Sequence, residues 1–272
     1  MIPYILLSVL GFVVGAFGTL VGAGGGFLLM PVLVILYPDD PPELLTAISL
    51  AVVFLNALSG SVAYAKLRRI DYRAGLIFAL AAIPGAIIGA SATSYLPRRL
   101  FDMILGALLV IGALFLFFKK PTTQNKQLSS AKHTSHLVDS EGHEYQFSYN
   151  LGVGIAISLA VGFVSSLLGI GGGIIHVPSL VYLVNFPVAI ATATSHFILA
   201  IVSFAGTCVH IHDGIFEHGG IRRTVALSLG VVIGAQIGAQ LSHRISGHGI
   251  IRALSLALLF VGFRVLWQGA MQ

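Results

Sequence analysis

"GAGGGFLLMP", residues 22–31, and "GIGGGIIHVP", residues 169–178, decide how this chain is read. Gly22, Gly24, Gly25, Gly26 and Pro31 each return 147 positions later, as Gly169, Gly171, Gly172, Gly173 and Pro178. Five such residues in one register, twice, mark an internal duplication. Each block also interrupts an apolar run. Glycine permits positive φ and close backbone approach, so each block reads as a helix break with a short helix beginning just after it, near Phe27 and Ile174.

Composition fixes the solvent around those breaks. Of 272 residues, 56% are apolar and only 9% are charged. A water-soluble domain of this length needs far more charged surface, so the chain is a polytopic membrane protein. Its start, "MIPYILLSVLGFVVGAFG", has no basic region and no cleavage site, and reads as a retained membrane segment rather than a signal peptide. The single Cys208 excludes an internal disulfide. The net charge of +5 is carried in short loops, which points to membrane topology and not to a nucleic-acid partner.

A spanning helix takes about 20 apolar residues. By that ruler the first half offers 2–21, 26–37, 44–65, 74–96 and 100–118. The second offers 150–168, 173–186, 188–210, 221–242 and 249–270. Segments 26–37 and 173–186 are too short to span comfortably, since a dozen residues rise only about 18 Å. The expected fold is therefore all-α, with two pseudo-symmetric repeats of about five helical segments each: membrane repeats at 1–118 and 150–272. Between them, 119–149 is polar and Ser/Thr/His-rich, and reads as a linker, much of it mobile.

The halves match elsewhere. "TAISLAVVFLNALSG" at 46–60 faces "TATSHFILAIVSFAG" at 192–206, sharing Thr46/Thr192, Ser49/Ser195 and Gly60/Gly206. "PGAIIGA" at 84–90 faces "IGAQIGA" at 233–239. Such small-residue rows let helices approach in lipid, either within one chain or across a homodimer seam. An odd number of crossings per half inverts the second repeat. Charge favours that version. Lys66, Arg68, Arg69, Arg73, the lysines at 119, 120, 126 and 132, Arg244 and Arg252 fall on one side. Arg98, Arg99, Arg222, Arg223, Asp213, Glu217 and the acidic "PDDPPE" at 38–43 fall on the other. The positive-inside bias puts the first set and the linker in the cytoplasm. Were each glycine-rich pair a single crossing, eight crossings would leave the repeats parallel.

In the inverted version two re-entrant hairpins meet tip to tip near the midplane. Irregular backbone at that depth must be buried in protein or line a polar cavity. Helix N-termini offer unpaired N–H donors and a positive dipole end, which suit an anion. The glycines Gly24, Gly25, Gly26, Gly171, Gly172 and Gly173 would form such a pocket.

"GAGGGFLLMPVL", "GIGGGIIHVPSL", "ATATSHF" and "LGVVIGAQIGAQLSHRI" resemble the signature blocks of the TauE/SafE family of membrane transporters. The resemblance covers both repeats and omits only the linker. It implies a non-enzymatic protein of the bacterial inner membrane, without a cofactor, moving sulfite, thiosulfate or a small organosulfonate. Two residues depart from the apolar run usual at their positions: His176 and His196.

Few polar side chains lie inside the segments. Thr46, Ser49, Asn56 and Ser59 in the first half, and Thr192, Thr194, Ser195 and Ser203 in the second, recur at three- and four-residue spacings that keep one helix face polar. Hydroxyl and amide donors suit an oxyanion without trapping it. Gln236 and Gln240 would share one face of their segment. No carboxylate sits mid-segment, so any proton coupling falls to His176 or His196. A potential-driven uniporter is equally consistent, and a negative interior favours anion export. Two rival readings are a histidine-dependent cation carrier and an intramembrane hydrolase built from Ser59 or Ser61 with His196. "HIHDGIFEHGG" at 210–220 has a metal-ligand flavour but no tetrahedral spacing, and no metal site is expected.

Overall fold

The computed structural model describes residues 3–118, 133–218, 220–242 and 248–271. The first half folds as α1 (Tyr4–Val21), α2 (Gly26–Leu36), α3 (Pro42–Lys66), α4 (Tyr72–Thr93) and α5 (Arg98–Phe118). A hairpin follows, β1 (His133–Val138) and β2 (Glu144–Tyr149). The second half is α6 (Leu151–Leu168), α7 (Gly173–Tyr182), α8 (Val188–His212), α9 (Gly220–Leu241) and α10 (His248–Met271), with a 3-10 turn at Ile215–His218 before α9. Among the described residues, α1, α3, α4, α6, α8 and α9 are long and apolar enough to cross a membrane, and α2 and α7 are shorter apolar helices. The protein is an all-helical, multi-pass membrane protein apart from its hairpin.

Local chemistry sets the helix ends. Pro42 opens α3 with Glu43 in its first turn, matching the fixed φ of proline and the positive end of the dipole. The Asp71 carboxylate accepts from the Ala74 N–H at the start of α4, at 3.0 Å. The Asn150 side chain accepts from the N–H groups of Gly152 and Val153 at the start of α6. Both α1 and α6 stop on a left-handed glycine, Gly22 and Gly169.

The helices pack reciprocally between the halves. α1 lies along α9 and α6 along α4, while α3 meets α8 and α5 meets α10. The contacts are backbone-close. A Cβ at Gly234 or Gly238 would strike the carbonyl of Phe12 or Ala16 on α1, and one at Gly85 or Gly89 would strike that of Leu159 or Phe163 on α6. Apolar helices gain no hydrophobic drive for association in lipid, so van der Waals contact of this closeness holds them. The Gly/Ala rows that could have formed a dimer seam are thus spent inside the chain. Phe27, Leu29, Met30 and Leu33 of α2 are wholly buried, which is why so short a helix can stand where it does.

Part of the linker is folded. Residues 119–132, with Lys119, Lys120, Lys126 and Lys132, lie outside the described residues, as do His243 and Arg244. But 133–149 is an ordered antiparallel hairpin, His133 pairing with Tyr149 and Val138 with Glu144. Its alternation of apolar residues, Tyr145, Phe147 and Tyr149, was hidden in a polar composition. Phe147 packs on Phe186 with ring centres 4.7 Å apart, Ser135 donates to the Asp71 carboxylate at 2.7 Å, and Arg69 pairs with Asp139 at 2.9 Å.

Charged groups gather at the two ends of α3. At its start, Arg98 donates to the Asp40 carbonyl and pairs with the buried Asp102, and Arg223 pairs with the Asp40 carboxylate. At its end lie Arg69 and the hairpin. Helix α6 leaves that hairpin, and the segment after α7 returns to it, where the Asn185 amide donates to the Ser148 carbonyl at 3.2 Å. The α6–α7 pair therefore starts and finishes at one end of the molecule.

Candidate functional site

The two glycine blocks meet. Gly22, Gly24, Gly25, Gly169, Gly171 and Gly172 all take positive φ, the left-handed region that other residues enter at a cost of about 1 kcal/mol or more. Gly25 and Gly172 are the N-caps of α2 and α7, and neither helix has a side-chain cap. The first N–H groups of each helix lack intrahelical acceptors. A Cβ at Gly26 would lie 2.5 Å from the Ile170 carbonyl oxygen, and one at Gly173 would strike the backbone of Ala23. Each tip is thus seated against the start of the opposite short helix.

The flanking contacts are swapped in the same way. A Cβ at Gly22 would lie 2.5 Å from the Thr192 methyl, and one at Gly169 would lie 3.0 Å from the Thr46 Cα. The Ser49 hydroxyl donates to the Gly169 carbonyl at 2.5 Å. Thr46 and Thr192 hold equivalent places in the two halves. So each break is braced by the third helix of the other half.

Two polar clusters stand beside the crossing. In the first, the Thr19 hydroxyl donates to the Asn56 amide oxygen at 3.3 Å and lies 3.2 Å from His196 Nε2. The Tyr64 hydroxyl donates to the Thr19 carbonyl at 2.8 Å. In the second, Ser158 Oγ lies 3.1 Å from His176 Nε2. These two side chains, with Ser165 and Gly171, line a cavity of about 10 Å³ bounded by Ile198, Leu199 and Val202, room for roughly one water molecule.

Buried polar atoms almost always find partners. Here Thr46 Oγ1, Asn56 Nδ2, Ser165 Oγ, Ser166 Oγ, Ser195 Oγ and His196 Nδ1 have none. These atoms sit on α3, α6 and α8, the helices that carry or brace the breaks. Their side chains are hydroxyl, amide or imidazole, with no carboxylate among them.

Not every expected site residue reaches the crossing. Thr194 faces the start of α4, where its hydroxyl accepts from the Asp71 N–H at 3.0 Å. Gln236 donates to the carbonyl and hydroxyl of Ser59 at 2.7 and 2.9 Å, in the seam between α3 and α9. His176 lies one turn behind its tip, turned to Ser158. The sequence reading missed Thr19 and Ser158. Thr19 had a signal, since it and Ser166 each precede a glycine block by three residues.

Ser49 and Ser195 are equivalent in sequence but not in bonding. Ser49→Ala strands the buried Gly169 carbonyl and is expected to lower stability by about 1–2 kcal/mol. Ser195→Ala removes no bond and is expected to change it by less than about 0.5 kcal/mol. Thermal unfolding of the two purified variants measures the difference.

The rival site chemistries gain little from this geometry. The Ser59 hydroxyl is bonded to the Val232 carbonyl at 2.8 Å, while His196 turns to Thr19. His176 and His196 stand in separate clusters rather than facing each other. His210 and His212 close α8. Among the described residues, the group that could gather around a cation is Asp139, Glu141 and His143 on the hairpin, and the Arg69 guanidinium already bonds both carboxylates there.

A multi-pass helical protein with two broken helices butted together inside it, beside unpaired neutral polar groups, belongs to the transporter class of membrane architecture. The comparisons agree. The family model for the sulfite exporter TauE/SafE matches residues 7–265, and the chain belongs to that family. It is 33% identical over 273 residues to the probable membrane transporter protein YunE of Bacillus subtilis, covering 98% of each chain. A probable membrane transporter protein of Methanocaldococcus jannaschii is 25% identical, over 96% of this chain and 94% of that one. One of Xylella fastidiosa is 25% identical, over 96% and 92%. No solved structure matches the chain.

Proposed function

We propose that this transporter carries a small sulfur-containing anion, sulfite, thiosulfate or an organosulfonate, through the crossing of its two glycine breaks. The observation that carries the reading is the set of unpartnered buried donors around two uncapped helix N-termini. An oxyanion satisfies both at once: N–H groups and dipole ends supply the positive potential, and Thr46, Asn56, Thr192 and Ser195 supply neutral donors. A cation would meet the wrong ends of both dipoles. The family's description as sulfite exporters supports the choice of anion.

The two halves are read as inverted repeats whose α1–α2 and α6–α7 pairs dip in from opposite faces. The return of α7 to the hairpin that α6 leaves supports this, as does the gathering of Asp40, Arg98 and Arg223 at the far end of α3. The hairpin and linker 119–149 then face the cytoplasm, between membrane units 1–118 and 150–272, and the membrane is the bacterial inner membrane. A negative interior drives an anion outward, which favours export. In the conformation described the tips are closed on each other, so passage requires them to part.

Proteoliposomes holding the purified protein test the reading. Sulfite, thiosulfate, isethionate, sulfoacetate, sulfate and chloride are offered in turn, with flux and anion-induced thermal stabilisation both recorded. Flux and stabilisation by one or two sulfur anions, and by neither sulfate nor chloride, is the expected result. Absence of both responses with every sulfur anion overturns it.

A further inference from the structure

The anion site described above contains no fixed positive side chain. Two histidines stand near it, in unlike surroundings. His196 is enclosed by Thr19, Tyr64 and Gly60, where a Cβ would come within 2.6 Å of its ring. His176 instead borders the water-sized cavity, with Ser158 on its Nε2 and the unpartnered Ser165 hydroxyl across the space. The cavity also touches Gly171, at the break itself.

The residues around this space differ between the two halves. The places of Ser158, His176 and Val202 correspond to Gly11, Leu29 and Asn56 in the first half. There the Asn56 amide fills in toward Gly15, whose Cβ would lie 3.1 Å from its oxygen. In the second half Val202 is too short and apolar to do so, and an imidazole faces the gap.

We propose that His176 is a proton-binding residue that sets the affinity of the transporter for its anion, a role that rests on the anion-pocket reading. A water in the cavity relays a proton between solvent and the ring and returns to its starting state, so nothing else is consumed. The ring stands three residues beyond Gly173, roughly 4.5 Å of helix rise. Opposite charges that close, away from bulk water, attract strongly. Anion and proton therefore each raise the other's affinity, by the same factor. No other ionisable group competes at the cavity. Helix α6 carries none; α4 has only Tyr72 and Arg73, at its start; α7 has Tyr182 at its end; α8 has His196, turned to Thr19, and the exposed Cys208 with His210 and His212 towards its end. If α6–α7 opens to the cytoplasm, the site tightens when the cytoplasm acidifies.

The test is anion affinity against pH, from thermal stabilisation by thiosulfate and by isethionate, with proton uptake on binding measured calorimetrically in two buffers. Wild type is expected to bind at least about tenfold tighter at pH 5.5 than at pH 8, taking up a fraction of a proton per anion. His176→Gln is expected to flatten the profile and abolish the uptake, whereas His196→Gln keeps both. The substrate's own protonation is common to all variants and cancels in the comparison. If His176→Gln does not fold, Ser158→Ala serves: it keeps the ring, removes its hydrogen-bond partner, and is expected to displace the midpoint of the profile. A pH-independent wild type, a full profile in His176→Gln, or an unmoved midpoint in Ser158→Ala overturns the proposal. Failure of wild type to bind any sulfur anion at either pH overturns the anion reading instead.

Discussion

Alanine at Gly26 or at Gly173 is expected to cut anion flux by about tenfold or more and to lower stability by about 1–3 kcal/mol. Neither glycine takes positive φ, so backbone strain plays no part. The effect is contact alone. A methyl at Gly26 would sit 2.5 Å from the Ile170 carbonyl oxygen, and one at Gly173 would strike Ala23. Backbone cannot swing aside as a flexible side chain does, so one tip must withdraw from the other. Overpacking of this kind costs about 1–3 kcal/mol, and each 1.4 kcal/mol is a factor of ten. Valine at either position should leave no flux. Gly142→Ala is the control: its φ is +85° but nothing lies within 4 Å, and flux should be unchanged. Flux and thermal unfolding of the variants, side by side, decide the matter. Normal flux in both alanine variants would mean that the tips are not the path.

Arg69→Ala is expected to release the hairpin from the helices, at a cost on the order of 3 kcal/mol. Arg69 and Asp139 have side chains only 8% and 0% exposed, and removing one partner leaves the other's charge stranded. Burial pushes the Asp139 carboxyl up, but the N–H of His143, the Arg69 guanidinium and the N–H of Glu141 outweigh it and hold the group at about 2. Its folded value is thus below the unfolded one, so its contribution is fully present above roughly pH 4 and fades as pH falls through about 2. Hydrogen exchange over 133–149 is the direct readout. Protection there should drop in Arg69→Ala at neutral pH, while α1, α6 and the crossing keep theirs. Unchanged protection would show that Phe147, Tyr149 and Phe186 hold the hairpin unaided.

The helices were legible because membrane spans are written in long apolar runs and their ends in caps. Segment 150–168 and helix α6, Leu151–Leu168, differ by one residue, and the short segments at 26 and 173 begin where the structure begins them. Segment 173–186 overran α7, which ends at Tyr182 because Asn185 takes positive φ and Pro187 follows. The hairpin was not foreseen for a related reason: polar composition outweighed a six-residue alternation whose apolar face gains meaning from Phe78 and Phe186.

The candidate site divides along the same line. Repetition of the glycine blocks, with Thr46 matching Thr192 and Ser49 matching Ser195, could be read from one dimension, because duplication leaves register behind. Sequence alone therefore determined a membrane-embedded helical chain, interrupted at two glycine blocks, with its polar residues on a few helices. Which of those residues face each other was decided only by tertiary structure. Periodicity assigns a side chain to a helix face but cannot say what stands opposite. That partner turned Thr194 to Asp71 and Gln236 to Ser59, set Thr19 beside His196, and left a water-sized space beside His176.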